Sequence, residues 1–361
     1  MIITFYDRLF VAMQNNSGLN VGDWALKRKA ADLDDFSCTS EAFLFHSQPV
    51  FMVLADDAGK YKYGCFAGVP QLTSDNQTKE TGSDLRSYFN SYVYVKITNI
   101  YTTLSAYLQA IYSIFKSQID QSTISTEFDT SEITDINMDL LVPDMSDYAS
   151  KNLLYDLMVP YLNYYKCHLS ARLDLINKKI VFKVYKASQK VVDIHLDEYK
   201  EYNYGKNISS INEVQVVVNY NGAISYGNPV ILLKDNSILQ TATPNLYRDI
   251  YPVKKKFIVK SATGNPQIPD LLVDGLQEAI ENLASARFNE ALEIDTSADR
   301  SKFEGIDFSW SFDLYYRQGA TYVFYKRLPL GAISEGRSGG IESATKITIG
   351  FKNDDIVFYI K

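Results

Sequence analysis

The apolar residues of this chain switch between strand and helix spacing along its length, and that switching sets the fold class. Through residues 1–98 they follow strand spacing, over 104–119 they recur at helical spacing, and from about 208 strand spacing returns. The spacing predicts an α+β chain, mainly antiparallel β. Phe43-Leu44-Phe45 ends one extended run. Val50–Leu54 is continuously apolar and stops at the turn-forming Asp56-Asp57-Ala58-Gly59, after which Tyr61–Val69 alternates. Two such runs around an Asp/Gly loop make a hairpin. Tyr92–Ile97 reads as a further strand, and a small barrel closes these strands without open edges.

Leu104, Tyr107, Leu108, Ile111, Tyr112, Phe115 and Ile119 then mark one face of a helix, with Thr102 or Thr103 placed to cap it. Segment 120–149 is polar and acidic and reads as irregular. A second helical patch follows at Leu153, Leu154, Leu157, Met158 and Leu162, ended or kinked by Pro160. His168–Leu175 and Ile180–Tyr185 form a hairpin turning at Asn177-Lys178-Lys179. Strands return at Val214–Tyr220 and Pro229–Leu233, a helix spans roughly 270–293, and strands follow at 309–315, 321–325, 346–351 and 356–360. Pro329–Ala344 reads as a long Gly/Ser-rich loop, functional or mobile. At about 150 residues per domain, 361 residues make two or three. The expected units are a first β-barrel domain at 1–98, an α+β domain at 99–204 (helices about 102–119 and 150–163, hairpin 168–185), and a second β-barrel at 205–361 with an inserted helical segment at about 262–300.

Charge narrows the function. The formal net charge is −7, whereas a stable nucleic-acid binder needs a basic excess or stripe. Lys27-Arg28-Lys29 and Lys254-Lys255-Lys256 are short and read as solvated strand ends, although a mildly acidic lining suits a conduit through which DNA slides. No run approaches the roughly 18 apolar residues of a membrane span, and the N-terminus lacks the pattern of a secretory signal. Cys38, Cys65 and Cys167 form no C-x-x-C pair and read as buried free thiols of a reducing compartment. Tyrosine is abundant, 27 residues, and suits surfaces half buried against a partner. Large protein contacts are therefore expected before catalysis.

The chemistry-bearing residues do not converge. His46, His168 and His195 are far apart, and no H-x-x-x-H or H-E-x-x-H is present. Cys167-His168 places a thiol beside an imidazole, but strand neighbours point to opposite faces. Gly336-Arg337-Ser338-Gly339-Gly340 lacks the Lys-Ser/Thr ending of a phosphate loop. Asp295–Asp299 and Asp235-Asn236 lack calcium-loop spacing, and Asn207-Ile208-Ser209 is a sequon without a secretory context. No residue is assigned as catalytic, cofactor-binding or metal-ligating, and no cofactor is expected. Tyr92, Tyr94, Tyr322 and Tyr325 read as barrel core or rim.

Two stretches carry a resemblance. One runs through Phe43-Leu44-Phe45, Gln48–Leu54 and Tyr63-Gly64-Cys65-Phe66-Ala67-Gly68 into Gly82-Ser83-Asp84-Leu85-Arg86-Ser87-Tyr88-Phe89-Asn90; the other is Tyr315-Tyr316-Arg317-Gln318-Gly319-Ala320-Thr321-Tyr322-Val323. The chain resembles the siphophage tail-hub family, the N-terminal part of the tail-associated lysin or prophage tail endopeptidase proteins, itself similar to the contractile-phage baseplate hub. The resemblance implies a homotrimer with two related barrels per chain, around 48–69 and 315–327. It would dock on a hexameric distal tail ring at the end of the virion tail, after assembly in the host cytoplasm. It also implies a short form without the C-terminal lysin domain, which closes the tail channel and opens for DNA ejection. Receptor-binding proteins and the tape measure protein are further expected partners. The alternatives are a peptidoglycan endopeptidase using Cys167, His168 and His195, or a host-saccharide binding module built on the tyrosines.

Overall fold

The computed structural model describes residues 1–13, 18–30, 32–41, 49–73, 77–97, 101–138, 145–187, 190–199, 202–206, 213–232, 238–240, 255–262, 290–343 and 345–351, with 271, 272, 275, 276, 278 and 279. The chain is mostly β, and its sheets are mainly antiparallel. The expected strand at 356–360 and the run ending at Phe45 lie outside the described residues.

The first strands are β1 (Ile2–Tyr6), β2 (Leu19–Lys29), β3 (Asp35–Glu41), β4 (Phe51–Ala55), β5 (Tyr61–Ala67), β6 (Gln71–Leu72) and β7 (Gln77–Asp84). They pair in the order β1-β4-β5-β7-β3-β2, and β1 also pairs with β2 at Ile2↔Asn20 and Ile3↔Leu19, so six strands are joined in a circuit. The continuous apolar run of β4 has its reason in packing. Met52 and Leu54 face Phe5, Trp24 and Phe36 in one core. Phe51 and Val53 face Phe89 and the helix in the next. A strand buried on both faces has no polar side to alternate with. The expected turn is present: Asp56 Oδ1 accepts from the N–H groups of Ala58 and Lys60, and Gly59 takes φ +78°.

Next come β8 (Tyr92–Ile97), α1 (Leu104–Gln118), β9 (Ser125–Asp129), β10 (Met145–Asn152), α2 (Val159–Tyr164), β11 (Cys167–Asp174) and β12 (Lys179–Lys186). α1 begins as its sequence dictates, with the Thr103 hydroxyl accepting from Ala106 N–H. Leu104, Tyr107, Leu108, Ile111 and Phe115 are buried. β8 does not join the first sheet; it pairs with β10 and lays Val93 and Val95 on the helix core. Segment 120–149 is not irregular throughout, because β9 adds parallel to β12. The second helical patch is a π-turn, Leu153–Met158, that becomes α2 at Val159, immediately before Pro160. Proline's missing N–H thus coincides with a change of helical register rather than an end. β11 and β12 pair from Cys167↔Lys186 to Asp174↔Lys179, with Lys178 in the turn at φ +52°.

A second set of strands comprises β13 (Lys190–His195), β14 (Tyr202–Lys206), β20 (Glu290–Asp295), β21 (Trp310–Gln318), β22 (Thr321–Ser338) and β24 (Lys346–Phe351). They run β13-β21-β22-β24-β20-β14, and no ladder joins β13 to β14 among the described residues. The long loop expected at 329–344 is instead the second half of β22 and its turn into β23 (Ile341–Glu342). Pro329 and Gly331 made that segment read as a loop, yet β22 shifts register there, between Leu330 and Ala332. Beyond the shift, β22 pairs with β2 from Ala332↔Lys29 to Arg337↔Trp24, fusing both ends of the chain into one sheet. Residues 290–293, expected as the end of a helix, are strand.

Between β14 and β20 lies a separate five-stranded sheet of β15 (Glu213–Tyr220), β16 (Ala223–Tyr226), β17 (Val230–Leu232), β18 (Ile238–Gln240) and β19 (Lys255–Ala262). β15, β16 and β17 therefore pair with one another and not with the second set among the described residues. Val214, Val216 and Val218 face a core with Ile258 and Ala279, and the described residues between 271 and 279 are helical, as their spacing predicts.

Candidate functional site

The residues that could have formed a nucleophilic site are held apart. Cys167 Sγ lies 3.4 Å from the Tyr165 carbonyl, and burial pushes its thiol up to about 12. Its neighbour His168 is buried on the other side of β11. His168 Nδ1 donates to the Ala30 carbonyl at 2.9 Å, and its ring lies 4.1 Å from Phe308. Burial, then the nearby Arg86 charge, keep this imidazole neutral. His195 is at the end of β13, with Nδ1 3.0 Å from Glu198 Oε1 and its ring stacked 4.0 Å from Tyr322. His46, Asp235-Asn236 and the sequon at 207–209 lie outside the described residues.

The acidic turn at 295–299 caps itself: Asp295 accepts from Ser297 N–H, and Asp299 accepts from Ser301 Oγ. The glycine run 336–340 is the β22–β23 turn, with Gly339 and Gly340 at positive φ and Gly339 N–H donating to Asp23. A trough of about 450 Å³ beside it is lined by Ala25, Ser37, Thr39, Ser334, Gly336 and Lys346. Asp23, Cys38, Lys79, Glu335 and Arg337 line it as well; Asp23 accepts from Gly339 N–H, and Glu335 lies 3.3 Å from Lys62.

What the fold does concentrate is a buried polar joint between the first strand circuit and the α1 unit. Asp84 caps the short helical turn after β7 by accepting from Arg86 N–H at 2.8 Å. That turn swings the Arg86 guanidinium inward. Its Nε donates to Asp84 at 2.8 Å, Nη2 to Asp34 at 2.6 Å and to the Asp32 carbonyl at 2.7 Å, and Nη1 to the carbonyls of Lys29 and Leu169. Tyr155 donates to Asp32 at 3.1 Å. Asp34 is pushed up to about 7 by burial and by Asp84 beside it. Sequence reasoning missed this joint, since Asp34, Arg86 and Leu169 are far apart in the chain. The one signal was Asp84-Leu85-Arg86 directly after a strand.

Tyr92, Tyr94, Tyr322 and Tyr325 are exposed rather than core, whereas Tyr63, Tyr107, Tyr161 and Tyr199 are buried. Tyr92 and Tyr94 stand outward on β8, 69% and 68% exposed. The outer half of the β21–β22 hairpin carries aromatic residues on both faces: Tyr315 and Phe324 form one ring pair, Tyr316 and Tyr325 the other. Exposed aromatics on a hairpin are the composition of a protein contact rather than of a reaction centre.

A mostly antiparallel chain whose two ends share one sheet, with polar chemistry spent on a joint and aromatics on its surface, has the fold of phage tail proteins. The likeness is end to end. The tail protein from Neisseria meningitidis MC58 aligns over 97% of this chain and 96% of its own, with a TM-score of 0.51 and 10% identity. Prophage tail protein gp18 from Listeria monocytogenes EGD-e aligns over 99% of this chain and 96% of its own, with a TM-score of 0.52 and 10% identity. No family model and no curated protein sequence matches.

Proposed function

We propose that the chain is a structural hub of a phage tail tip: a homotrimer at the distal end of the tail that docks on a hexameric ring, closes the channel and opens to let DNA through. The observation that carries this reading is the end-to-end likeness to the two tail proteins. The strand pairing supports it. Each chain holds two six-strand sets, β1-β4-β5-β7-β3-β2 and β13-β21-β22-β24-β20-β14, joined where β2 meets β22. Three chains then present six sets, the number a sixfold ring requires, if each set is read as a barrel-like module. The unit between them, around α1, spaces the modules, and the sheet of β15–β19 is an insertion into the second. In this reading the chain is not an enzyme, assembles in the host cytoplasm, and meets tape measure and receptor-binding proteins in the virion.

The solution mass tests it. Light scattering of the purified chain is expected to give about 123 kDa, three times 40.9 kDa. A stable dimer of about 82 kDa would count against a threefold hub.

A further inference from the structure

His168 sits where three parts of the chain meet. It lies on β11, in the unit around α1. Its Nδ1 donates to the carbonyl of Ala30, the residue just past β2, at 2.9 Å. The Ala30 N–H in turn donates to the Gly331 carbonyl of β22 at 2.8 Å. The ring centre of His168 is 4.1 Å from that of Phe308, which belongs to the core of the second strand set. β11 gives Cys167, Leu169 and Leu173 to the core around α1, and the two cores share no residue.

This contact suits one protonation state. A carbonyl only accepts, so Nδ1 carries the proton of the neutral ring, and Nε2 is the nitrogen left to take up another. The residue is 4% exposed. Arg86, from the turn after β7, and Arg28, from β2, bear on the ring, and both oppose a second positive charge. The carboxylates on the neighbouring segments are engaged elsewhere. Asp34 and Asp84 are bonded to Arg86, Asp32 and Asp35 to Lys29, and Asp307, beside Phe308, accepts from Ser309 N–H. Tyr185, opposite His168 across the β11–β12 ladder, offers a phenol rather than a carboxylate.

We propose that His168 is an acid-released latch between the α1 unit and the second strand set. Its neutral ring holds β11 on Ala30 and Phe308, and a proton on Nε2 frees that contact while the strands on either side stay paired. Other bonds fix what stays joined. Arg86 ties β11 to the end of β2 through the carbonyls of Leu169 and Lys29. β2 keeps its ladder with β22, from Trp24↔Arg337 to Lys29↔Ala332. What is released is the segment 303–310 that carries Phe308, where Ile306 N–H donates to Phe303 and Trp310 N–H to Asp307. The latch belongs to the single chain and holds whether or not copies form a trimer. Its sign follows from linkage. A histidine that binds a proton less readily in the closed contact than the free ring does, at about 6.5, stabilises that contact above this pH and loses it as pH falls.

Hydrogen exchange of the full chain, read by mass spectrometry and corrected for the intrinsic rate at each pH, tests the latch. One proton taken up on opening should raise the opening constant of 303–310 about tenfold between pH 7.5 and 5.5 in the wild type. The amides of Trp24–Lys29 should keep their protection over the same range. His168→Asn keeps an N–H donor near the Nδ1 position and takes up no proton, so its opening constant should stay flat. His168→Phe, which keeps a ring against Phe308, replaces it if the Asn variant melts early at pH 7.5. A wild type that is flat over this range overturns the latch, and so does a folded variant that rises as steeply as the wild type. Loss of Trp24–Lys29 protection in step with 303–310 also overturns it, because acid would then be opening the whole molecule.

Discussion

Arg86 has five N–H donors, and the joint uses all of its nitrogens, on carboxylates from Asp84 and Asp34 and on carbonyls of the 29–32 loop and of β11. Replacing it by Met leaves two buried carboxylates without their cation. Arg86→Met should therefore lose about 3–5 kcal/mol in urea unfolding, and adding Asp34→Asn should recover part of that loss, since the two sites share one network. Glu80 gives a second prediction of different origin. It points into the first strand circuit opposite Cys38 and is fully buried, and neither carboxylate oxygen has a hydrogen-bond partner among the described residues. Burial alone pushes it up to about 7. A carboxyl held above its unfolded value of about 4.3 favours the folded state while protonated; that stability is present at low pH and is lost as pH rises to about 7. Glu80→Gln should therefore match the wild type near pH 4 and exceed it increasingly up to pH 7, with the difference constant above. Denaturant midpoints at each pH check this, and subtracting the two proteins removes the contribution of Asp34, which titrates in the same range.

At the scale of elements, β22 does the joining, and two glycines near it separate two causes of glycine dependence. A Cβ on Gly331 would lie 1.8 Å from the Gly350 carbonyl oxygen, at the register shift where β22 pairs with β24. Gly319, in the β21–β22 turn, has open space around it but φ +66°. Gly331→Ala should destabilise by more than about 3 kcal/mol, because backbone must move. Gly319→Ala should lose only about 1 kcal/mol, the strain of a left-handed residue. Urea midpoints of equal size for the two would refute the distinction. The same strand shows why part of the fold was legible in the sequence. α1 was readable to its N-cap because each buried residue lies within one turn of the next. β4, β5 and the β11–β12 hairpin were readable because their partners are sequence neighbours. β22 was not, since Pro329 and Gly331 signal a loop locally while its partner β2 is some 300 residues away. β20 was missed because Leu292 continues the 3–4 spacing of the helix before it. The buried joint was illegible for a further reason: Gln77–Asp84 is polar at almost every position, so alternation gives no sign that Thr78, Glu80 and Asp84 point inward.

At the scale of the whole molecule, the pairing of β14 with β20 decides what can be removed. Lys206 and Glu290 face each other at the end of that ladder, with residues 207–289 lying between them in sequence. No strand of β15–β19 pairs with a strand of the larger sheet among the described residues, and its core of Val214, Val216, Val218, Val230, Ile258 and Ala279 is its own. Removing 207–289 and joining Lys206 to Glu290 through Asn-Gly turns two long-range partners into a tight hairpin. The loop closed in the unfolded chain also becomes shorter, which lowers the entropy lost on folding. The shortened chain should therefore fold with one cooperative thermal transition, and the amides of Trp24–Lys29 should stay as protected from hydrogen exchange as in the full chain. Loss of cooperative melting would show that the insertion supports the larger sheet. A shortened chain that folds and still forms the 123 kDa species would place the threefold contact wholly within the two strand sets and the unit around α1.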